Sequence, residues 1–360
     1  NTCNHAGNHG MNEIIKHAQQ TFLAMKDPYH SVERVYPQAI HALEKHDDIH
    51  YIGMKNAVQI PLRLIQRLKA HGYILHTVDR CSINGRAVDM QLRNPITGRR
   101  MTGSSSGTAI NVFLGINDLG IGTDGGGSVL APAMSVQCYG FISPLMEQEH
   151  MKQYGKCSTD GLCFTPSLGF ITRDLAVIKK AAGICLELRE NDMPVHVICP
   201  EAWKEHQKLP EKIYEKTKIK IETVDFPVFD NSREPMINFL KQYLPGCDVL
   251  IHYEKKIDVN GIGDSILGHF DEETQEDQLK SGKFLIRVAN MVGATALCIP
   301  DNAFASGYVL LCESKKEKIE KMFSIAEDFP KIEDELIKRY FRNMDAYFSY
   351  GALEEGLLGE

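Results

Sequence analysis

The 360-residue chain has no surplus of basic charge: 40 Lys and Arg stand against 47 Asp and Glu, a formal net charge of −7. A general nucleic-acid binder shows a basic surplus or a basic stripe, so that class is set aside. There is no apolar run near the roughly 18 residues that a membrane helix needs. There is no C-x-x-C pair either. The 10 cysteines are scattered from Cys3 to Cys312, which reads as reduced, mostly buried thiols of a cytoplasmic protein and not as a disulfide framework. No internal repeat, low-complexity stretch or linker divides the chain, so one domain over residues 11–360 is the simplest organisation. The opening NTCNHAGNHG lacks a signal-peptide core and precedes Met11. Residues 1–10 therefore read as a tag remnant or a disordered lead, and Cys3, His5 and His9 as an adventitious metal site at most. The acidic end, LEEGLLGE, reads as a mobile tail.

What is present is a core-forming composition, 43% hydrophobic and 24% charged, with helix and strand patterns in alternation. NEIIKHAQQTFLAMK and SVERVYPQAIHALEKH read as two N-terminal amphipathic helices at about residues 12–47. His41 and His46 miss the i, i+4 spacing that would put both on one face, so they read as solvated. IHYIGMK, YILHTV, DLGIGT, PVHVIC, KIKIETV, CDVLIHY, ATALCI and SGYVLLC read as strands. Helices are expected between them near 174–188, 231–243, 273–291 and 315–345. This alternation predicts an α/β protein with a large, mostly buried mixed sheet surrounded by helices.

Residues 120–132, GIGTDGGGSVLAP, pack glycines around Asp124 and Ser128. Gly120 to Gly125 satisfy G-x-G-x-x-G, the dinucleotide fingerprint, but that motif needs a helix opening on its last glycine. Here two further glycines and Pro132 follow, which hinder an immediate helix. Acyl transfer makes other demands: a nucleophile, a base, and donors placed where an oxyanion forms. Gly125, Gly126 and Gly127 can turn backbone N–H groups inward without Cβ clashes. Asp124 fits a turn-holding acid better than a base. Upstream, Ser104, Ser105 and Ser106 precede an apolar helix, where an N-cap is the bland reading.

The two loops together say more. RNPITGRRMTGSSSG, a helix, and LGIGTDGGGSVLAPA resemble the amidase signature family of Ser-Ser-Lys amide hydrolases, whose pattern runs R-N-P, G-G-S-S-G-G-S, then G-T-D-x-G-G-S-I-R-x-P-A. HYIGMKNA looks like its G-V-x-V-K-D segment and supplies Lys55. SLGFITRDLAVIKKAAG, VHVICP and FLIRVANMVGATALCIPDNAFASGYVLLCES are similar to its later segments, so the likeness runs from about Lys55 to Ser314. The resemblance implies that Ser128 is the nucleophile of an amide hydrolase that forms an acyl-serine intermediate. Ser104, after a cis peptide bond, would relay the proton to Lys55, with no metal or organic cofactor required. Gly125, Gly126 and Gly127 would form the oxyanion hole, with Ser105, Thr123, Asp124 and Arg173 in support. A lysine titrates near 10.4 in water, and burial would lower that value toward a usable base.

The chain departs from the pattern in several places, as a divergent and shortened member would. The insert after the lysine strand is nearly absent, since KNAVQIPLRLIQRL runs directly on. Leu130 stands where the family has an arginine, Ser106 where it has a glycine, and QCYGFISPL and LIHYEKKID replace later motifs. The substrate is expected to be a small-molecule, peptide or acyl amide, with homo-oligomerisation open. A glutaminase subunit serving an amidotransferase, or a non-catalytic binding protein on the same fold, are the alternatives. Cys138 and Cys163 read as buried thiols.

Overall fold

The computed structural model describes residues 3–349 apart from 47, 159–160, 191, 205–207, 229–231 and 265; the side chains of residues 3–10 and 266 are not described. The strands in chain order are β1 Val32–Val35, β2 His50–Lys55, β3 Tyr73–Asp79, β4 Val88–Arg93, β5 Arg100–Thr102, β6 Leu119–Asp124, β7 Tyr139–Ser143, β8 Lys156–Cys157, β9 Cys163–Phe164, β10 Ser167–Thr172, β11 Val195–Pro200, β12 Ile219–Val224, β13 Val249–Glu254, β14 Ala294–Pro300 and β15 Gly307–Glu313. Eleven of them form one sheet in the order β1-β3-β2-β6-β10-β7-β14-β15-β13-β11-β12, while β4-β5 and β8-β9 are separate pairs. The sheet is mixed: β2 runs parallel to β3 and β6, and β11 parallel to β12 and β13, with the other neighbours antiparallel. The large mixed sheet and its surrounding helices agree with the α/β reading.

Strands β6, β7 and β10 are buried along their whole length, which is why LGIGTD, YGFIS and SLGFIT show no polar alternation. Two large apolar clusters form the core, one containing Phe113, Val129 and Leu285, the other Ile52, Leu119 and Phe141. Helix α1 (Cys3–Lys26) precedes the sheet, and α2 (Leu62–Lys69) buries Leu64, Ile65 and Leu68 at helical spacing. Helix α3 (Ser106–Leu114) is buried at all nine residues, and α4 (Leu130–Ser135) at all six. Burial on every face explains why α3 reads as apolar throughout rather than amphipathic.

Several expectations need correction. The first helix starts at Cys3 and not near residue 12. The second expected helix, within residues 31–46, is instead β1 followed by a 3-10 turn over Pro37–Glu44. Val32 and Val35 suit an edge strand, and Pro37 lacks the N–H that a longer ladder needs. The helix expected near 273–291 ends at Leu279. Beyond it Gly282 adopts φ +71°, and a Cβ there would lie 1.8 Å from the Lys255 carbonyl oxygen. The helix expected over 315–345 is split into Lys316–Ala326, Glu335–Phe341 and Met344–Phe348, with Pro330 in the first gap.

The cysteine reading also needs revision, because Cys157 and Cys163 form a disulfide across the β8–β9 pair. Cys163 is thus an exposed, bonded residue, which a search confined to C-x-x-C spacing misses at a separation of six. Cys138 is fully buried, as expected, and seven cysteines are free among the described residues. No helix among the described residues is long and apolar enough to cross a membrane. The 351–360 tail lies outside the described residues.

Candidate active site

Lys55 is the last residue of β2, and the parallel pairing of β2 with β6 matches Gly53 to Gly120 and Met54 to Ile121. Both strands therefore finish at the same edge, which brings Lys55 beside Thr123. Its Nζ donates to Ser104 Oγ at 2.7 Å and to Thr123 Oγ1 at 2.8 Å. The side chain is 5% exposed. Burial is the main force that pushes its pKa down, to about 8; Cys81 and Asp124 oppose it, and Lys156 adds a like-charge push in the same direction. An ammonium stripped of water loses more solvation than its neutral amine, so this lysine can release its proton near neutral pH.

The serine loop and the glycine loop are stitched together. Ser105 N–H donates to the Ser128 carbonyl oxygen at 3.1 Å. Gly103, at φ +72°, turns the chain where a Cβ would meet Pro132 Cδ at 2.6 Å. Every described peptide bond is trans, so the cis bond expected before Ser104 is absent, and the left-handed turn at Gly103 brings Ser104 to Lys55 without it. Gly122 lets α3 approach β6, since a Cβ there would sit 2.5 Å from Ser105 Oγ. Ser105 occupies the N-cap of α3 but caps it with no side-chain bond, and its buried Oγ has no partner among the described residues. Ser106 instead donates to Asp89 Oδ2 at 2.6 Å.

Asp124 holds the glycine loop. Its carboxylate accepts from the N–H groups of Gly127 at 2.7 Å, Val129 at 2.6 Å and Leu130 at 3.2 Å. Burial pushes its pKa up, and these three bonds work against that shift. Gly127 therefore drops out as an oxyanion donor, because its N–H is taken. Gly125, Gly126 and Ser128 supply the loop's remaining candidate N–H groups. Asn290 Nδ2 donates to the Gly125 carbonyl at 3.3 Å and to the Thr165 carbonyl at 3.0 Å. Neither Asp89 nor Asn290 stands out in the sequence; Asn290 lies in NMVG, within the segment similar to the family's N-x-x-G.

Lys55, Ser104, Thr123, Gly125 and Ser128 line one pocket of about 450 Å³, together with Asn56, Cys81, Tyr154 and Lys156. Ser128 is partly exposed to it, and its Oγ makes no hydrogen bond among the described residues. The chain of hydroxyls is thus closed from Lys55 to Ser104 and open from Ser104 to Ser128. Catalytic bonds often tighten only when substrate arrives. Arg173 does not join this group. Antiparallel pairing puts Thr172 opposite Leu119 and Ser167 opposite Asp124, so Arg173 lies at the far end of β6, over Gly115 at the end of α3. No cluster of three or more metal-ligating side chains exists among the described residues.

A sequence profile of the family described as Amidase matches residues 82–228. Over 102 residues the chain is 37% identical to Amidase 1 of Arabidopsis thaliana, a match covering 26% of this chain and 21% of that protein. Among solved structures, a bacterial aryl acylamidase of the amidase signature family superposes with a TM-score of 0.59 at 12% identity, covering 93% of this chain and 94% of the other. A glutamyl-tRNA(Gln) amidotransferase subunit from Thermotoga maritima gives a TM-score of 0.56 at 14% identity, with 88% and 93% covered. At such identities the structural likeness concerns the fold, and the profile with the paired serine and glycine loops carries the sequence side. Over residues 82–228 the chain matches the Amidase family, and its overall fold is that of amidase signature enzymes.

Proposed function

We propose that the protein hydrolyses carboxylic amides through a covalent acyl-serine, with Ser128 as nucleophile, Ser104 as proton relay and Lys55 as base. The observation that carries this reading is the 2.7 Å contact between Lys55 and Ser104 in a pocket that Ser128 also lines. With Lys55 neutral, Ser104 Oγ–H donates to the Nζ lone pair while an N–H of Lys55 stays on Thr123 Oγ1. Ser128 Oγ attacks the carbonyl carbon and passes its proton to Ser104, whose own proton moves to Lys55. The N–H groups of Gly125, Gly126 and Ser128 receive the oxyanion. Collapse breaks the C–N bond, the leaving nitrogen takes a proton back through Ser104, and water then cleaves the acyl ester by the same route. The chain's own residues and one water supply every proton and both nucleophiles, so the reading needs no cofactor. The seven free thiols among the described residues support a cytoplasmic setting.

The test needs no known substrate. Wild type, Ser128→Ala and Lys55→Ala are exposed to a fluorophosphonate and weighed intact. One adduct on wild type, mapped to Ser128, absent from Ser128→Ala and slowed in Lys55→Ala, supports the assignment. Folded wild type that takes up no adduct removes it and leaves the binding-protein reading.

A further inference from the structure

The pocket around Ser128 holds two full charges, and both are positive. Among the described residues its lining contains Lys55 and Lys156 but no Asp or Glu; Asn56, Gln59, Asn84, Ser82 and Tyr154 supply its polar rim. Asp124, the nearest acid of the glycine loop, is fully buried and spends its oxygens on backbone N–H groups.

Lys156 differs from Lys55 in every relevant respect. It is exposed, whereas Lys55 is sealed. It makes no ion pair with any described residue. Its stem is nevertheless not loose: it is the first residue of β8, paired with Phe164, and its neighbour Cys157 is tied to Cys163. Its ammonium lies 5.7 Å from the centre of the Phe164 ring. A Cβ placed on Gly125 would touch Lys156 Cε at 3.3 Å and Phe164 Cε2 at 2.7 Å. The stapled pair therefore carries a cation across the first glycine of the oxyanion loop. A cation held beside a carbonyl-binding loop, with no acid among the described residues to neutralise it, favours a ligand that brings its own negative charge.

We infer that Lys156 is a specificity-determining residue that selects amides bearing a carboxylate a few bonds from the scissile carbonyl, the monoamides of short dicarboxylic acids being the simplest class. This rests on the hydrolase reading of the same pocket. The carboxylate would neutralise Lys156 on binding, and neutral amides of equal length would leave that cation without a counter-charge. A phosphate in place of the carboxylate is set aside, because among the described residues the pocket offers one free cation and no guanidinium to hold it bidentately.

The experiment uses the full chain carrying Ser128→Ala, which keeps the pocket and removes turnover. Calorimetry compares succinamate, glutaramate and adipamate with butyramide, valeramide and hexanamide. The charged member of at least one pair should bind about ten-fold more tightly or better, the size of one charge-assisted hydrogen bond. Adding Lys156→Met should erase that preference, Lys156→Arg should keep it, and Lys156→Glu should turn it toward the neutral amides. Equal binding of charged and neutral partners across all three lengths overturns the inference, as does a preference that survives Lys156→Met. Failure to bind any of the six overturns it as well. Fluorophosphonate labelling of wild type reports on Ser128 separately: labelling without anion preference sinks this inference alone, while its absence sinks the hydrolase reading on which it rests.

Discussion

Lys55 and Asp264 are ionisable side chains withdrawn from water in two different regions, and their surroundings push them in opposite directions. Lys55 meets two hydroxyls and, among the described residues, no carboxylate within bonding distance, so burial carries its pKa down to about 8. Asp264, 14% exposed, faces Lys283 at 2.9 Å, Arg233 at 3.2 Å and Arg287 at 3.4 Å. Burial alone would push the Asp264 carboxyl up, but Lys283, Arg287 and Arg233 overcome it and hold the group well below the usual carboxylate range. Burial without a counter-charge yields a side chain that can exchange protons near neutral pH. Burial among counter-charges yields one that stays ionised and serves structure. The comparison separates a reactive site from a structural one by its partners, not by its depth.

The largest effect expected from this contrast is on activity. Lys55→Met removes the proposed base and should lower kcat/KM by about 10³- to 10⁴-fold on any amide that wild type turns over. The wild-type kcat/KM should climb about ten-fold per pH unit below pH 8 and level off above it, because in the proposed relay only the neutral amine accepts the Ser104 proton. A rate independent of pH between 6 and 9 would take Lys55 out of the base role.

Asp264→Ala should leave the Ser128 labelling chemistry in place and destabilise the fold by about 3–5 kcal/mol, the cost of leaving buried cations without their acid. Lys55→Met should do the reverse. The folded-state pKa of Lys55 lies below its value in the unfolded chain, so between about pH 8 and 10.5 the unfolded state binds more protons and stability rises with pH. At pH 7 the folded protein carries the cost of a buried ammonium, and Lys55→Met should relieve up to about 3 kcal/mol of it. Urea unfolding midpoints of the two variants at pH 7 should therefore move in opposite directions. Two midpoints that both fall by similar amounts would erase the distinction.

The same contrast explains what the sequence could and could not disclose. Lys55, Ser104, Thr123, Asp124 and Ser128 sit in two contiguous loops and one strand end, where residue type, order and separation are all visible in one dimension. Their support comes from further away. Asn290 reaches Gly125 across 165 positions, and Lys156 arrives on a small strand pair closed by a disulfide. Asp264 and its cations are drawn together from Arg233 to Arg287 across two helices and β13, so only the folded chain places them side by side. The edge strand β1 escapes a one-dimensional reading for a related reason: the apolar spacing in SVERVYPQAIHALEKH suits a helix, and only pairing with β3 makes Val32–Val35 extended. Gly127 shows the limit within a motif. Its residue type suits an oxyanion donor, but the Asp124 side chain claims its N–H.

Asp79 offers the finest test of the comparison, because it is a buried acid with no cation among the described residues in hydrogen-bond contact. It ends β3, accepts from Thr77 Oγ1 at 2.6 Å and Asn111 Nδ2 at 2.7 Å, and leaves Oδ2 without a partner among the described residues. Burial pushes its pKa up to about 7, against the pull of Thr77 and Asn111. By the logic of Lys55 it should be close to neutral in the folded protein; by the logic of Asp264 it should not. Its folded pKa exceeds the unfolded one, so between about pH 4 and 7 the folded state binds more protons. The stability Asp79 contributes is then complete below about pH 4 and is lost as pH rises through 7, with a slope of at most about 1.4 kcal/mol per pH unit. Asp79→Asn cannot titrate and keeps an oxygen for Thr77 and Asn111. The stability of wild type minus that of Asp79→Asn, measured by urea unfolding at pH 5 and pH 7, should be larger at pH 5. An equal difference at both values would mean that Asp79 is ionised throughout, and that depth without a counter-charge is not enough to neutralise a carboxylate in this fold.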